Sequence, residues 1–122
     1  MSLSVNVSLP STITDPSDDL WEHCRNGLGI ARLLVHEKRP EHLVATACRM
    51  AVESACRLAC ERVGRRWDGD VRTALELLSA PDPLRIEEAG LRPGERLALA
   101  ERRVTWLASV LRSQAPERCW KL

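Results

Sequence analysis

The sequence predicts an all-α protein, an antiparallel up-and-down helical bundle of four to five helices. Three observations carry that expectation. Apolar residues recur at three-and-four spacing through three long stretches. Prolines, glycines and capping acids fall at the joints between those stretches. The segment "PEHLVATACRMAVESACRLACERVG" is rich in alanine, the strongest helix former, whose small side chain lets a neighbouring helix approach closely. The chain divides into an N-terminal arm over 1–14, a single helical-bundle domain over 15–114 and a C-terminal tail over 115–122.

In the arm, Leu3, Val5, Val7 and Leu9 alternate with small polar residues until Pro10, the pattern of a short edge strand or a loosely held terminus. The first helix then opens with Asp15 or Ser17 as N-cap, and Asp18, Asp19 and Glu22 set negative charge against the helix dipole. Leu20, Trp21, Cys24, Gly27, Leu28, Ala31, Leu34 and Val35 form its apolar face. It ends by Arg39, because proline disfavours helical backbone at the residue before it. The stretch "HEKRP" is a tight connection, and Pro40 suits the first turn of the second helix, where its missing N–H is not needed.

The second helix runs to Gly64, whose lack of a Cβ suits a left-handed terminus. At ~1.5 Å per residue it spans about 35 Å and is the longest element. Val44, Ala47, Cys48, Ala51, Val52, Ala55, Leu58, Ala59 and Val63 make a broad apolar arc. His42, Thr46, Arg49, Glu53, Arg57 and Glu61 make a polar stripe with opposite charges at i,i+4. A turn at Asp68-Gly69 starts a short third helix, with Asp68 or Asp70 at its cap and Leu75, Leu77 and Leu78 facing inward. Pro81 and Pro83 end it. Residues 84–94 form a connecting loop with one helical turn in "LRIEEAG". The last helix begins near "PGE" and reaches about Gln114 along a seam of Leu97, Ala100, Val104, Leu107 and Leu111, widened by Trp106 and Val110. The tail "APERCWKL" frays unless Trp120 docks.

Composition narrows the function. A net charge of +1 argues against duplex binding as the main activity, since that rests on many Lys/Arg–phosphate contacts. The charge is unevenly spread, −2 over residues 1–61 and +3 over 62–122, which leaves room for a local basic patch. With no Phe or Tyr and four Trp, the chain has few rings on which single-stranded bases could stack. No apolar run suits a bilayer span, and "MSLSVNVSLPST" lacks the features of a signal peptide, so the expected location is cytoplasmic and no membrane partner is expected.

Five cysteines raise the question of chemistry. Cys48 and Cys56 lie ~12 Å apart along one helix and cannot share a metal or a disulfide. Cys56 and Cys60 are an i,i+4 pair that could offer two ligands, but a closed site needs two more from Cys24, Cys119 or a histidine. The favoured reading is that the thiols pack as small hydrophobes, with Cys60 turned towards the polar stripe. No metal or other cofactor is expected. His36 and His42 flank the "EKRP" turn beside Glu37 and Glu41, and a solvated turn explains them. The chain carries no Ser-His-Asp arrangement, glycine-rich phosphate loop or H-E-x-x-H sequence. The glycines of "GLGIA" are read as allowing close helix packing. In "CERVGRRWDGD", Arg62, Arg65, Arg66 and Trp67 are the candidate phosphate or RNA contact, by guanidinium forks and indole stacking. The helix dipole favours cations there without any ligand.

A first helix ending in a Lys/Arg-Pro turn, the long alanine-rich second helix, "WDGDVRTALELL" as a short third and a final amphipathic helix together resemble HEPN domains. Asp70-Val71 stands where that family places a dipeptide preceded by histidine, and the histidine is missing here. The resemblance covers about residues 18–114. It implies one of two activities. Many members are RNases or toxins of toxin–antitoxin pairs, with an Arg and a His four to six residues apart on the last helix of a dimer. Others lack that pair and serve as nucleotide-binding modules or partners of small nucleotidyltransferases. Here Arg96, Arg102 and Arg103 are followed by no histidine, the last being His42, so no catalytic residue carries over. The expected function is a non-enzymatic interaction module, a homodimer, with a nucleotidyltransferase, nucleotide or RNA as candidate partner. Leu33, Leu43 and Met50, apolar but off the main seams, mark a candidate partner surface. The alternative is an RNA-acting nuclease using Arg62, Arg65, Arg66 and His36 or His42.

Overall fold

The computed structural model describes residues 16–114. They form α1 (Pro16–His36), α2 (Glu41–Val63), α3 (Val71–Leu77), a 3-10 turn (Asp82–Leu84) and α4 (Pro93–Gln114), and no strand occurs among them. The arm, Asp15 and the tail with Cys119 and Trp120 lie outside the described residues.

Helix ends explain the boundaries. Three helices close with the same pair of backbone hydrogen bonds, donated by a left-handed residue and by the residue after it. At the end of α1, Lys38 adopts φ 56 and the Arg39 amide donates to the Leu34 carbonyl at 2.9 Å. At the end of α2, Gly64 adopts φ 73 and the Arg65 amide donates to the Cys60 carbonyl at 2.8 Å. At the end of α3, Ser79 adopts φ 60 and the Ala80 amide donates to the Leu75 carbonyl at 2.8 Å. Pro40 sits one position before the expected first turn. Its ψ of 141 is extended, so it caps α2 through its carbonyl, which accepts from the Leu43 amide at 3.0 Å. Asp70 caps α3 by accepting from the Arg72 amide at 2.9 Å. In α4, Pro93 fills the first helical position and Glu95 reaches back to the Arg92 amide at 2.8 Å, one half of a capping box. The helical turn expected in "LRIEEAG" falls earlier, over Asp82–Leu84, where Pro83 sets φ.

α2 is the central helix, packed against α1 on one side and α4 on the other, and α1 also meets α4. α1 and α2 are antiparallel: the Cys24 thiol donates to the Ala51 carbonyl at 3.0 Å, and the turn at 37–40 joins their far ends. α4 runs in the same direction as α2, since Arg96 in its first turn lies 4.0 Å from Glu41 at the start of α2. α3, the 3-10 turn and a strap over 85–92 therefore form the third limb, returning the chain to the starting end of α2. The alternation of direction is that of an up-and-down bundle, with one limb mostly irregular.

Close approach of α1 to α2 depends on one glycine. A Cβ at Gly27 would lie 3.2 Å from the Ala51 Cβ, inside ordinary contact distance, whereas Gly29 faces open space. The expectation for "GLGIA" thus holds for Gly27 and not for Gly29, which is exposed. Most core side chains on α2 are alanine, cysteine or valine, so the helix axes can come near one another.

The strap is held by Arg103, the buried charged residue of α4, with 2 % of its surface exposed. Its Nε donates to the Leu84 carbonyl at 2.9 Å, its Nη2 to the Ile86 carbonyl at 3.1 Å, and its Nη1 to the Glu88 carboxylate. Arg96 holds the same carboxylate at 3.3 Å. These bonds satisfy the carbonyls of a segment that has no helix or sheet to do so.

Two outcomes test this packing. Gly29→Ala should stabilise the fold by about 0.5–1 kcal/mol through helix propensity, while Gly27→Val should cost about 1–3 kcal/mol by overpacking, both read from urea midpoints. Arg103→Met should cost about 2–4 kcal/mol, because it strips two carbonyls and Glu88 of their donor. Amide exchange should then accelerate first in residues 84–88, and Arg103→Lys should not restore protection, since an ammonium cannot reproduce the planar fork.

Candidate functional site

The cysteines pack in the core. Cys24, Cys48, Cys56 and Cys60 are free and buried in the main core cluster. Cys60 corrects the expectation that it turns towards the polar stripe: it is 2 % exposed and belongs to the main core cluster, against which Trp67 and Val71 also pack. Burial pushes the Cys24 and Cys48 thiols up to about 11 and Cys56 up to about 12; neighbouring Cys60 adds to the Cys56 shift. Burial raises Cys60 as well, partly offset by the Arg65 charge. Reactive thiols need the opposite, a lowered value and access. Among the described residues no group of three or more His, Cys, Asp and Glu is placed to hold a metal ion.

A pH dependence follows. An unfolded thiol ionises near 9.0 and the folded ones near 11 to 12. Above about pH 9 the unfolded chain therefore binds fewer protons than the folded one, and stability falls as pH rises. Urea midpoints measured in reductant should stay level from pH 7 to 8 and then drop steadily above pH 9, with no rise anywhere in that upper range.

None of the three clefts described below is lined by Arg62, Arg65, Arg66 or Trp67. Arg65 and Arg66 are exposed, and the Arg65 backbone belongs to the turn that closes the helix. Arg62 is half-buried. Trp67 is spoken for: its ring packs on the core and its indole Nε1 donates to the Asp70 carbonyl at 2.5 Å. That bond and the Asp70 amide's bond to the Asp68 carboxylate at 2.9 Å order the turn into α3. His36 and His42 are both exposed at the connection between α1 and α2.

Three clefts are lined by other residues. A polar one of about 370 Å³ gathers Arg49, Arg72 and Arg103 with Glu53, Asp70, Glu87 and Glu88. Two of its arginines are paired within it, Arg72 on Glu87 at 2.8 Å and Arg103 on Glu88. A broad cleft of about 610 Å³ lies along α4 between Pro81, Pro83, Leu84, Arg102 and Trp106. The third, about 290 Å³, is a groove along the outer side of α1 and α2. Gly27, Ala47 and Ala51 line it beside Ile30, Leu34, Leu43 and Met50, its polar members are His23, Asn26 and Thr46, and no Asp, Glu, Lys or Arg lines it. Ile30, Leu33, Leu43 and Met50 each expose between 41 and 55 % of their surface.

This groove joins Leu43 and Met50, which the sequence marks as off-seam apolar residues, with Ile30, which periodicity did not single out. The signal for Ile30 lay in its spacing: it follows Asn26 by four and precedes Leu34 by four, so all three share one flank of α1. Leu33 continues that apolar surface outside the groove itself. Arg103 was also legible in principle, sitting four residues from both Leu99 and Leu107 on the inward face of α4.

Comparison with known proteins finds no matching family model, no matching curated protein and no matching solved structure. No helix among the described residues is long and apolar enough to cross a membrane.

Proposed function

We propose that this chain is a non-enzymatic interaction module that works as a homodimer, in the manner of HEPN domains lacking the catalytic Arg–His pair. The observation that carries the reading is the uncharged apolar face of α1 and α2. Three half-exposed side chains, Ile30, Leu43 and Met50, border a groove lined by glycine and alanine, and Leu33 extends the apolar surface beyond it. A face with projections beside its own recess can meet a copy of itself about a two-fold axis, because an isologous contact needs only self-complementarity. Its lack of formal charge means that two copies bring no like charges together. Covering the exposed half of each large side chain contributes about 1 kcal/mol, so the four together favour association by a few kcal/mol before its entropic cost.

Support for a non-enzymatic role comes from the basic residues themselves. Arg96 and Arg103, which the resemblance would set near a catalytic histidine, hold the strap through Glu88. A nucleotide or nucleotidyltransferase partner is implied by the resemblance alone, and in the polar cleft Arg72 and Arg103 are paired with carboxylates.

Sedimentation over a wide concentration range should show a monomer–dimer equilibrium. Ile30→Arg and Met50→Arg should each weaken it at least about tenfold, or 1.4 kcal/mol, without changing helix content. Monomer at every concentration would remove the dimer reading. Labelled RNA should stay intact with the chain; cleavage that disappears in Arg65→Ala/Arg66→Ala would establish the nuclease instead.

A further inference from the structure

We propose that Met50 is a modification site for peroxides, and that its conversion to the sulfoxide releases one copy of the chain from the other. The inference rests on the reading of the α1–α2 groove as the dimer surface and adds its regulation.

Exposure singles out this sulfur. Met50 has 51 % of its surface exposed and lines the groove, whereas Cys24, Cys48, Cys56 and Cys60 are each at most 3 % exposed. Burial also holds the Cys24 and Cys48 thiols at about 11 and Cys56 at about 12. At neutral pH such thiols carry almost no thiolate, the form that a peroxide oxidises. A thioether has no proton to lose and reacts wherever the oxidant reaches it. Among the described residues, Met50 is therefore the sulfur that a peroxide meets first.

The step needs hydrogen peroxide alone. An S–O bond forms at Met50 as the peroxide O–O bond breaks. The sulfur gives up two electrons, and the second oxygen takes up the proton of the transferred hydroxyl and leaves as water. An apolar side chain thereby gains a polar oxygen that accepts hydrogen bonds. On the single chain, water satisfies that oxygen. In the groove, Ile30, Leu34 and Leu43 offer it no donor, and Thr46 already gives its hydroxyl to the His42 carbonyl at 2.9 Å. His23 and Asn26 are the polar side chains that remain there in place of bulk water. Covering the oxidised side chain with a second copy therefore costs more than covering the thioether. Linkage runs both ways: a second copy seated on the groove shields the thioether, so the dimer is oxidised more slowly than the monomer.

Mass spectrometry and sedimentation on the full chain, carrying Cys119→Ser, test the proposal. Brief treatment with hydrogen peroxide at neutral pH should add one oxygen to Met50 and none to the four buried cysteines. The oxidised chain should dimerise about tenfold more weakly, with helix content unchanged. Met50→Leu keeps an apolar side chain at the groove and should hold its affinity through the same treatment, Met1 being present in both proteins. Oxygen uptake at Met50 should slow at least about threefold between a monomeric dilution and a dimeric concentration. Three results overturn the inference while the functional reading stands: cysteines oxidised before Met50, a fully converted sulfoxide that associates as tightly as before, or an equal loss of affinity in Met50→Leu. If the untreated chain is a monomer at every concentration, the dimer reading and the inference fall together.

Discussion

The approach of α1 to α2 at Gly27 and Ala51 governs much of the molecule. A Cβ at position 27 would lie 3.2 Å from the Ala51 Cβ, so the two helices lie close, and α2 meets its neighbours mainly through alanine, cysteine and valine. A core so thin has little space for aromatic rings, and the chain contains neither Phe nor Tyr. Cysteine fits such a core as a small, polarisable apolar group, and the raised thiol values are the electrostatic signature of that use. Trp67 and Trp106 stay at the margins, half-buried, closing the ends and side of the bundle.

The return limb meets a different constraint. α3 spans only Val71–Leu77, and the chain must then travel back along the bundle without a helix to satisfy its backbone. Arg103 resolves this by donating to two strap carbonyls and to Glu88 at once, with Arg96 bracing the same carboxylate. The consequence reaches function. Arg96 and Arg103 are thereby part of the scaffold, while Arg65 and Arg66 stay exposed at the end of α2.

Much of the fold was legible because helix periodicity and end signals are local. The long apolar arc from Val44 to Val63, the glycine at 64 and the proline at 93 each act within a turn or two of backbone, so the sequence by itself determined the helices, their order and most of α2's buried face. Local rules failed where a contact comes from a distant segment. Cys60 turns by periodicity towards the polar stripe and is buried in the main core; Gly29 resembles Gly27 in sequence and faces solvent; Arg103 looks like a surface charge and is enclosed by a strap about fifteen residues earlier in the chain. The grouping of Ile30, Leu43 and Met50 round one groove was likewise decided only by the tertiary structure. Periodicity states which residues share a side of one helix, but the relative rotation and separation of two helices decide which sides meet and what they leave uncovered.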